Sequence, residues 1–436
     1  MNQLFAGFSR VNITPMLGIG MQGYFEARQA ESILDELEVN ALALQCGDTR
    51  TVMLAVDTCG SNPETADAFR KHICEVTGLP KEAVYFHCTH THTGPYLEIH
   101  SQRPLVPEYF SFVYSRIADA AVMALQDLKP ARMGWAVTEA PGIAFVRRYL
   151  MKDGTWQTNP GRLNPDVVAP IGEPDHRLSI LRFDREGAET IYLANFANHP
   201  DTISGCKISA DWPGHFRREL ERILPGCKAL LFNGAQGDVN HIDITKGPKD
   251  FNVGYAFSKH LGRFLAGTAL QVVDKMKYVE VNSIRCMQKD VPVQTNMPEP
   301  DEIPQAKEVV ELFRAGRLSD LNAKDWRKPM NVAHANRVMM VKDWPAIRLL
   351  PVSGIAIGPV AFVGIPGEPF STIGKALKET EGWDLILPTC LTNGGFGYYP
   401  TLDAFEGSGY ERSASRFLPG TAELLIEGGK HLLREL

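Results

Sequence analysis

Residues 84–95, Val-Tyr-Phe-His-Cys-Thr-His-Thr-His-Thr-Gly-Pro, constrain this chain more than any other stretch. An apolar run rich in Val, Tyr and Phe and closed by Gly-Pro reads as a buried strand. Side chains two apart on a strand share a face. A strand continuing to the end of the run therefore sets His90 and His92 side by side at its C-terminal end. Open α/β sheets take their ligands beyond such ends. Imidazoles converging there suit a transition metal, zinc first. A lone histidine is more often a hydrogen-bonded core residue, but a His-Thr-His pair at a strand end points to metal binding or catalysis.

The same figure recurs along the chain. An apolar strand ending at Phe196 runs into Asn198-His199-Pro200. Lys228 to Phe232 empties into Asn-Gly-Ala-Gln-Gly-Asp-Val-Asn-His, residues 233–241. That loop is not a phosphate-binding loop, because no Gly-Lys-Ser/Thr follows. Its glycines suit a close backbone approach to a ligand or metal. Val360 to Ile365 delivers Pro366-Gly367-Glu368-Pro369, and Leu385 to Leu391 leads to Gly397-Tyr398-Tyr399-Pro400. A glutamate between apolar corners needs a partner or a cation. Two histidines and one glutamate form a catalytic zinc set with a position open for water. The adjacent Arg147 and Arg148 either fork onto a carboxylate or an amide oxygen or are surface charge. Asp57 reads as a solvated loop residue before a support for the histidines, and His215 as a surface or capping residue.

The 436 residues allow one large catalytic domain or two ordinary ones. No polar linker divides them, and no repeat is visible, so one domain spanning 1–436 is expected. The charged, proline-punctuated stretch at about 296–342 reads as a helical insertion on one face. The predicted class is α/β (mixed α+β), with central mixed β-sheets flanked by helices and the metal site at strand C-terminal ends. Residues 4–24 have the composition of loop and edge strand. A net charge of −6 provides no basic field for nucleic acid or anionic membrane. The eight cysteines contain no C-x-x-C pair and read as reduced thiols. The N-terminus lacks a basic segment followed by an apolar core, and the longest apolar run, 353–367, is too short for a bilayer. A cytoplasmic location is the expectation, and a homo-oligomer is left open.

Ala6-Gly7-Phe8-Ser9-Arg10-Val11-Asn12-Ile13-Thr14-Pro15 with Gly23-Tyr24, then Thr89-His90-Thr91-His92-Thr93-Gly94-Pro95, Gly237-Asp238-Val239 and Pro366-Gly367-Glu368 occur in that order. The chain thereby resembles the catalytic domain of the neutral (alkaline, non-lysosomal) ceramidases, over essentially its whole length. The resemblance implies a zinc amidohydrolase that cleaves an N-acyl bond. It implies His90, His199, Glu368 and Tyr398 as zinc ligands, His92 as the group that handles substrate or proton, and Arg147 as the arginine facing substrate. Arg148, Tyr399 and Tyr410 are candidates for substrate contact.

Two departures bear on substrate. Ceramidases carry a serine, regarded as nucleophile, where this chain has Asn240. An amide cannot attack a carbonyl, but it can donate to a developing oxyanion. They also carry a C-terminal β-sandwich and a secretion signal, neither of which is evident here. Both point to a small soluble N-acyl substrate in place of ceramide. Ester or lactone hydrolysis would use the same apparatus, and a non-catalytic ligand-binding homologue is the competing reading. A phosphoesterase is disfavoured, since no aspartate-rich two-metal set is present.

Overall fold

The computed structural model describes residues 2–99, 105–247, 252–321 and 329–436. Its framework is a pair of facing sheets with helices on their outer sides. The larger has nine strands among the described residues; its main path runs 227–233, 190–196, 177–185, 129–139, 4–12, 38–46, 49–56, 84–88, and Lys277–Val279 adds to 129–139. Both end pairs, 190–196 with 227–233 and 49–56 with 84–88, are parallel; the pairs between are antiparallel. The second sheet has the order 284–294, 347–357, 360–364, 385–389.

Strand alternation sorts the core into layers. Leu42, Leu44, Met53 and Ala55 face Ile355, Phe362 and Leu387 of the second sheet. Their neighbours Ala41, Ala43, Val52 and Leu54 face the helices Pro63–Thr77 and Pro107–Gln126, represented by Phe69, Ile73, Val113 and Ile117. Val352, Ala361 and Val363 turn the other way, onto Leu377, Leu425 and Leu432 of the helices Ser371–Lys378 and Thr421–Glu435. Strands buried on both faces read as continuous apolar runs, which is why 84–88 and 360–364 stand out in the sequence. The mixed α+β class with helix-flanked sheets is as predicted.

The segment Leu4–Asn12 departs from expectation. It is an interior strand between 38–46 and 129–139. Gly7, taken as loop composition, is a close-packing glycine: a Cβ there would lie 2.1 Å from the Ala124 carbonyl oxygen of the 107–126 helix. The hairpin through Gly47-Asp48 forms as read, between 38–46 and 49–56.

The large sheet curls until its two end strands meet. The Asn233 side chain, on one end strand, donates to the carbonyl of Asn198, just past the adjacent strand 190–196, at 3.0 Å and to that of Thr89, just past the other end strand, at 3.4 Å. Residues 390–393, just past the second sheet's last strand, wedge in beside them. Cys390 N–H donates to the Asn233 carbonyl at 3.1 Å, and Asn393 N–H to the Phe86 carbonyl at 2.7 Å. Strand ends far apart in sheet order are thus gathered at one place. The helices Glu302–Arg314 and Pro329–Val341 lie within the 296–342 stretch and share a small core of Ala306, Val309, Val310, Val332, Ala335 and Val338. No described helix is long and apolar enough to cross a membrane. The eight cysteines are free thiols.

Candidate metal centre

His90 and His92 reach the site by a different route from the one predicted. The strand stops at Cys88. His90 has a φ of +76°, a left-handed conformation that interrupts side-chain alternation and is uncommon outside glycine. Its N–H donates to the Thr58 carbonyl at 3.0 Å, which holds the turn. Strained backbone of this kind persists only where the surroundings fix it, and it gathers at functional sites. The surroundings here include Asp57, which is fully buried, contrary to the loop reading. It accepts from Thr89 Oγ1 at 3.0 Å and from Arg217 at 2.6 and 3.1 Å. His215 is likewise buried, edge-on to Tyr255 at 5.1 Å, and is no surface residue.

Three side chains from separate strand ends converge. His90 Nε2 and His199 Nε2 are 3.2 Å apart, and Glu368 Oε2 lies 3.3 Å from each. Backbone carbonyls fix the ring states. His90 Nδ1 meets the Cys59 oxygen at 2.5 Å, while His199 Nδ1 meets the oxygens of Gln236 and Val239 at 2.9 and 3.0 Å. A carbonyl only accepts, so both Nδ1 atoms carry a proton, and in the neutral ring the Nε2 lone pair points into the cluster. Glu368 Oε2 is buried and has no hydrogen-bond donor among the described residues. Three electron-rich atoms aimed at one point repel one another unless a cation sits among them. Ligand bonds of about 2.0–2.1 Å at a tetrahedral angle place donor atoms about 3.3 Å apart. The observed edges therefore fit zinc, and the Nδ1–carbonyl contacts are the outer partners a metal-binding histidine uses.

The cluster attracts positive charge, a proton on His90 standing where a cation would otherwise be held. Burial opposes the Glu368 carboxylate, yet His90 and His199 hold its pKa well below the ordinary range. Burial would lower His90, but the charges of Cys59 and Glu368 outweigh it and push it up. His199 is lowered by burial and by Arg147. His92 is also lowered by burial and stays neutral; its Nε2 is 3.1 Å from His90 Nε2, and its buried Nδ1 has no hydrogen-bond partner.

Arg147 is buried and stands at the edge of the cluster, with Nη1 3.5 Å from His199 Nε2. Nε donates to Glu411 at 2.7 Å and Nη2 to the Gly237 carbonyl at 2.9 Å. Glu411 was not evident from the sequence; its short helix meets Arg147 only through the tertiary fold. Tyr398 lies beneath the guanidinium, 5.4 Å from ring centre to Cζ, and Tyr410 beside it at 6.0 Å. Burial, then the charge of Glu368, keeps the Tyr398 hydroxyl protonated. Asp201 and His241, 3.0 Å apart, and Tyr24, edge-on to His92 at 5.3 Å, complete the surroundings. Of these only Gly23-Tyr24 carried a signal in the sequence.

Three predicted contacts fall elsewhere. Tyr399 alternates away from Tyr398, donates to the Pro366 carbonyl at 2.7 Å and packs on Phe417 in the core. Arg148 alternates away from Arg147 and lies between Trp156 and Phe370. It lines a cleft of about 280 Å³ with Asp238, Thr372, Thr401, Asp403 and Glu423, none of them in the cluster. Asn240 donates to Asn159 Oδ1 at 3.1 Å and accepts from Ile242 N–H at 3.0 Å, so one amide hydrogen and its oxygen are already engaged.

No protein-family model matches the chain, and no curated protein sequence does. Solved structures do. The neutral ceramidase of Pseudomonas aeruginosa superposes with a TM-score of 0.75 at 16% identity, covering 100% of this chain and 75% of that one. A ceramidase complexed with C2 gives 0.75 and 16%, covering 100% of this chain and 76% of that one. The chain has the fold of the neutral ceramidases.

Proposed function

We propose that this protein is a zinc-dependent hydrolase of a C–N amide bond in a small soluble N-acyl compound. The observation that carries the reading is the convergence of two imidazole lone pairs and a buried carboxylate oxygen, 3.2–3.3 Å apart, in a ceramidase fold. Zinc bound there supplies Lewis acidity and a water that ionises near neutral pH.

The chain's own groups have separable tasks. His90, His199 and Glu368 hold the ion, with Tyr398 as the fourth candidate ligand. Arg147, fixed from two sides, directs positive charge at the edge of the cluster, where a substrate carbonyl oxygen becomes negative. A preset charge in a dry site is worth more than the same charge in water. One Asn240 amide hydrogen and its oxygen are held by Asn159 and Ile242, so Arg147, with its full charge, is the stronger candidate for that stabilising role. His92 is neutral and has an unpartnered ring nitrogen; it accepts a proton and returns it to the departing amine. Asn240 offers no attacking atom, which favours water as the nucleophile.

The test is hydrolysis of a panel of N-acyl amides by zinc-loaded protein, by chelated protein, and after zinc is restored. Turnover should vanish with chelator and return with zinc. Turnover that ignores chelator eliminates the zinc mechanism. Zinc binding without turnover of any amide points to the ligand-binding homologue, and turnover of esters or lactones alone changes the bond class.

A further inference from the structure

Two lines of aromatic rings leave the metal centre and meet. On one side Tyr24 stands edge-on to His92 at 5.3 Å, held by Arg28, which stacks on Tyr24 at 4.2 Å and donates to the His92 carbonyl at 2.8 Å. The next residue is Phe25. On the other side Arg147 lies over Tyr398, and Tyr398 meets Tyr410 edge-on at 5.5 Å. Phe25 and Tyr410 then meet at 6.0 Å, which joins the two lines. Phe313 closes on Phe25 from outside at 6.4 Å.

Phe313 comes from the helix Glu302–Arg314, inside the inserted segment. The second inserted helix, Pro329–Val341, packs on the short helix Tyr410–Ala414, which carries both Tyr410 and the Glu411 partner of Arg147. The two inserted helices have a core of their own, so they can present Phe313 as a fixed wall. The insertion therefore rests on the elements that surround the histidines.

We infer that Phe25, Tyr410 and Phe313 form a roof over the metal centre that admits only a short acyl group, and that Phe313 is a specificity-determining residue. This rests on the amide-hydrolase reading of the same site. An extended acyl chain leaving the metal between the two aromatic lines runs into the Phe25–Tyr410–Phe313 contact. Removing one ring opens an apolar channel. Each methylene that then leaves water adds about three- to fourfold to affinity.

The experiment uses straight-chain hydroxamic acids, from acetohydroxamate to dodecanohydroxamate, titrated calorimetrically into the zinc-loaded full chain. Their head group binds zinc, and their tail reports the room available without requiring turnover. Wild type should bind the short members and lose affinity as the tail grows. Phe313→Ala, and independently Phe25→Ala, should bind the long members with affinity rising about three- to fourfold per methylene. Circular dichroism checks each variant's fold, and two variants on different elements guard against failure of either. Matching chain-length profiles in wild type and both variants overturn the roof, as does tight binding of long tails by wild type. If hydroxamates follow the expected profile but no amide is hydrolysed, the roof stands and the amidase reading falls. If no hydroxamate binds at all, both fall.

Discussion

His87 Nε2 accepts a hydrogen bond from the backbone N–H of Asn233 at 3.0 Å, although the two residues belong to strands at opposite ends of the large sheet. The other ring nitrogen donates to the Cys390 carbonyl at 2.7 Å. This one neutral ring links both end strands to the segment that closes the sheet. Burial, helped by the charge of His90, pulls its pKa down to about 3.

Stability should therefore depend on pH through His87. An unfolded chain takes up the proton near pH 6.5, and the folded one only near 3. The stabilisation is complete above the unfolded value and shrinks as pH falls between the two, by roughly 1.4 kcal/mol per unit. Urea denaturation of wild type should lose about 2 kcal/mol between pH 6.5 and 5 on this account. His87→Phe should cost about 1–3 kcal/mol at pH 7, because it leaves a buried N–H and carbonyl unpaired. The gap between the two proteins should then narrow on acidification. A constant gap would refute the assignment.

Gly237 lets the 233–241 loop touch the strand that carries Glu368. A Cβ at this position would lie 2.4 Å from the Glu368 carbonyl oxygen and 2.9 Å from that of Pro369. Both are backbone atoms and cannot swing aside. Gly237→Ala should cost about 1–3 kcal/mol and displace Glu368. Zinc affinity should fall along with stability. A folded variant with unchanged zinc affinity would show that the loop does not position the carboxylate.

Removing a ligand should separate metal binding from folding. Wild type is expected to bind one zinc per chain, as measured by elemental analysis. Glu368→Gln should weaken binding by more than about tenfold, since even outer partners of metal ligands are worth that much. Stoichiometric, equally tight zinc in this variant would contradict the cluster's role.

Arg147 should act on the reaction and not on the metal. Arg147→Lys keeps a charge but loses the fork onto Glu411 and Gly237. We expect kcat to fall about 10²–10³-fold, the range seen when an oxyanion donor is lost, with zinc content unchanged. Arg147→Ala should also destabilise by about 3–5 kcal/mol, because it strands the buried Glu411 carboxylate. A Lys variant with wild-type kcat would remove Arg147 from the mechanism.

His90, His199 and Glu368 were legible because each follows an apolar run and stands beside a Gly or Pro break. Those signals are local, and they survive without a fold. Phe25, Glu411 and Phe313 left no such trace. Their meaning comes from contacts with residues tens to hundreds of positions away, and an aromatic or an acid on a short helix is unremarkable in isolation. Gly7 was misread because turn glycines and close-packing glycines look alike in a sequence; only the 107–126 helix lying over it tells them apart.

The amino-acid order by itself determined several apolar strands buried on both faces, 84–88 and 360–364 among them, and which ligand-type residue follows each; it did not determine that the first stops at Cys88 or that 4–12 is an interior strand. Local periodicity and backbone stereochemistry suffice for that. Tertiary structure alone decided that strands from opposite ends of a nine-stranded sheet would meet. It also turned His90 into a left-handed bend, and sent Arg147 and Tyr398 toward the histidines while Arg148 and Tyr399 turned away. Sheet curl, side-chain facing and the company a buried charge keeps are set by long-range packing, and no window along the chain contains both partners.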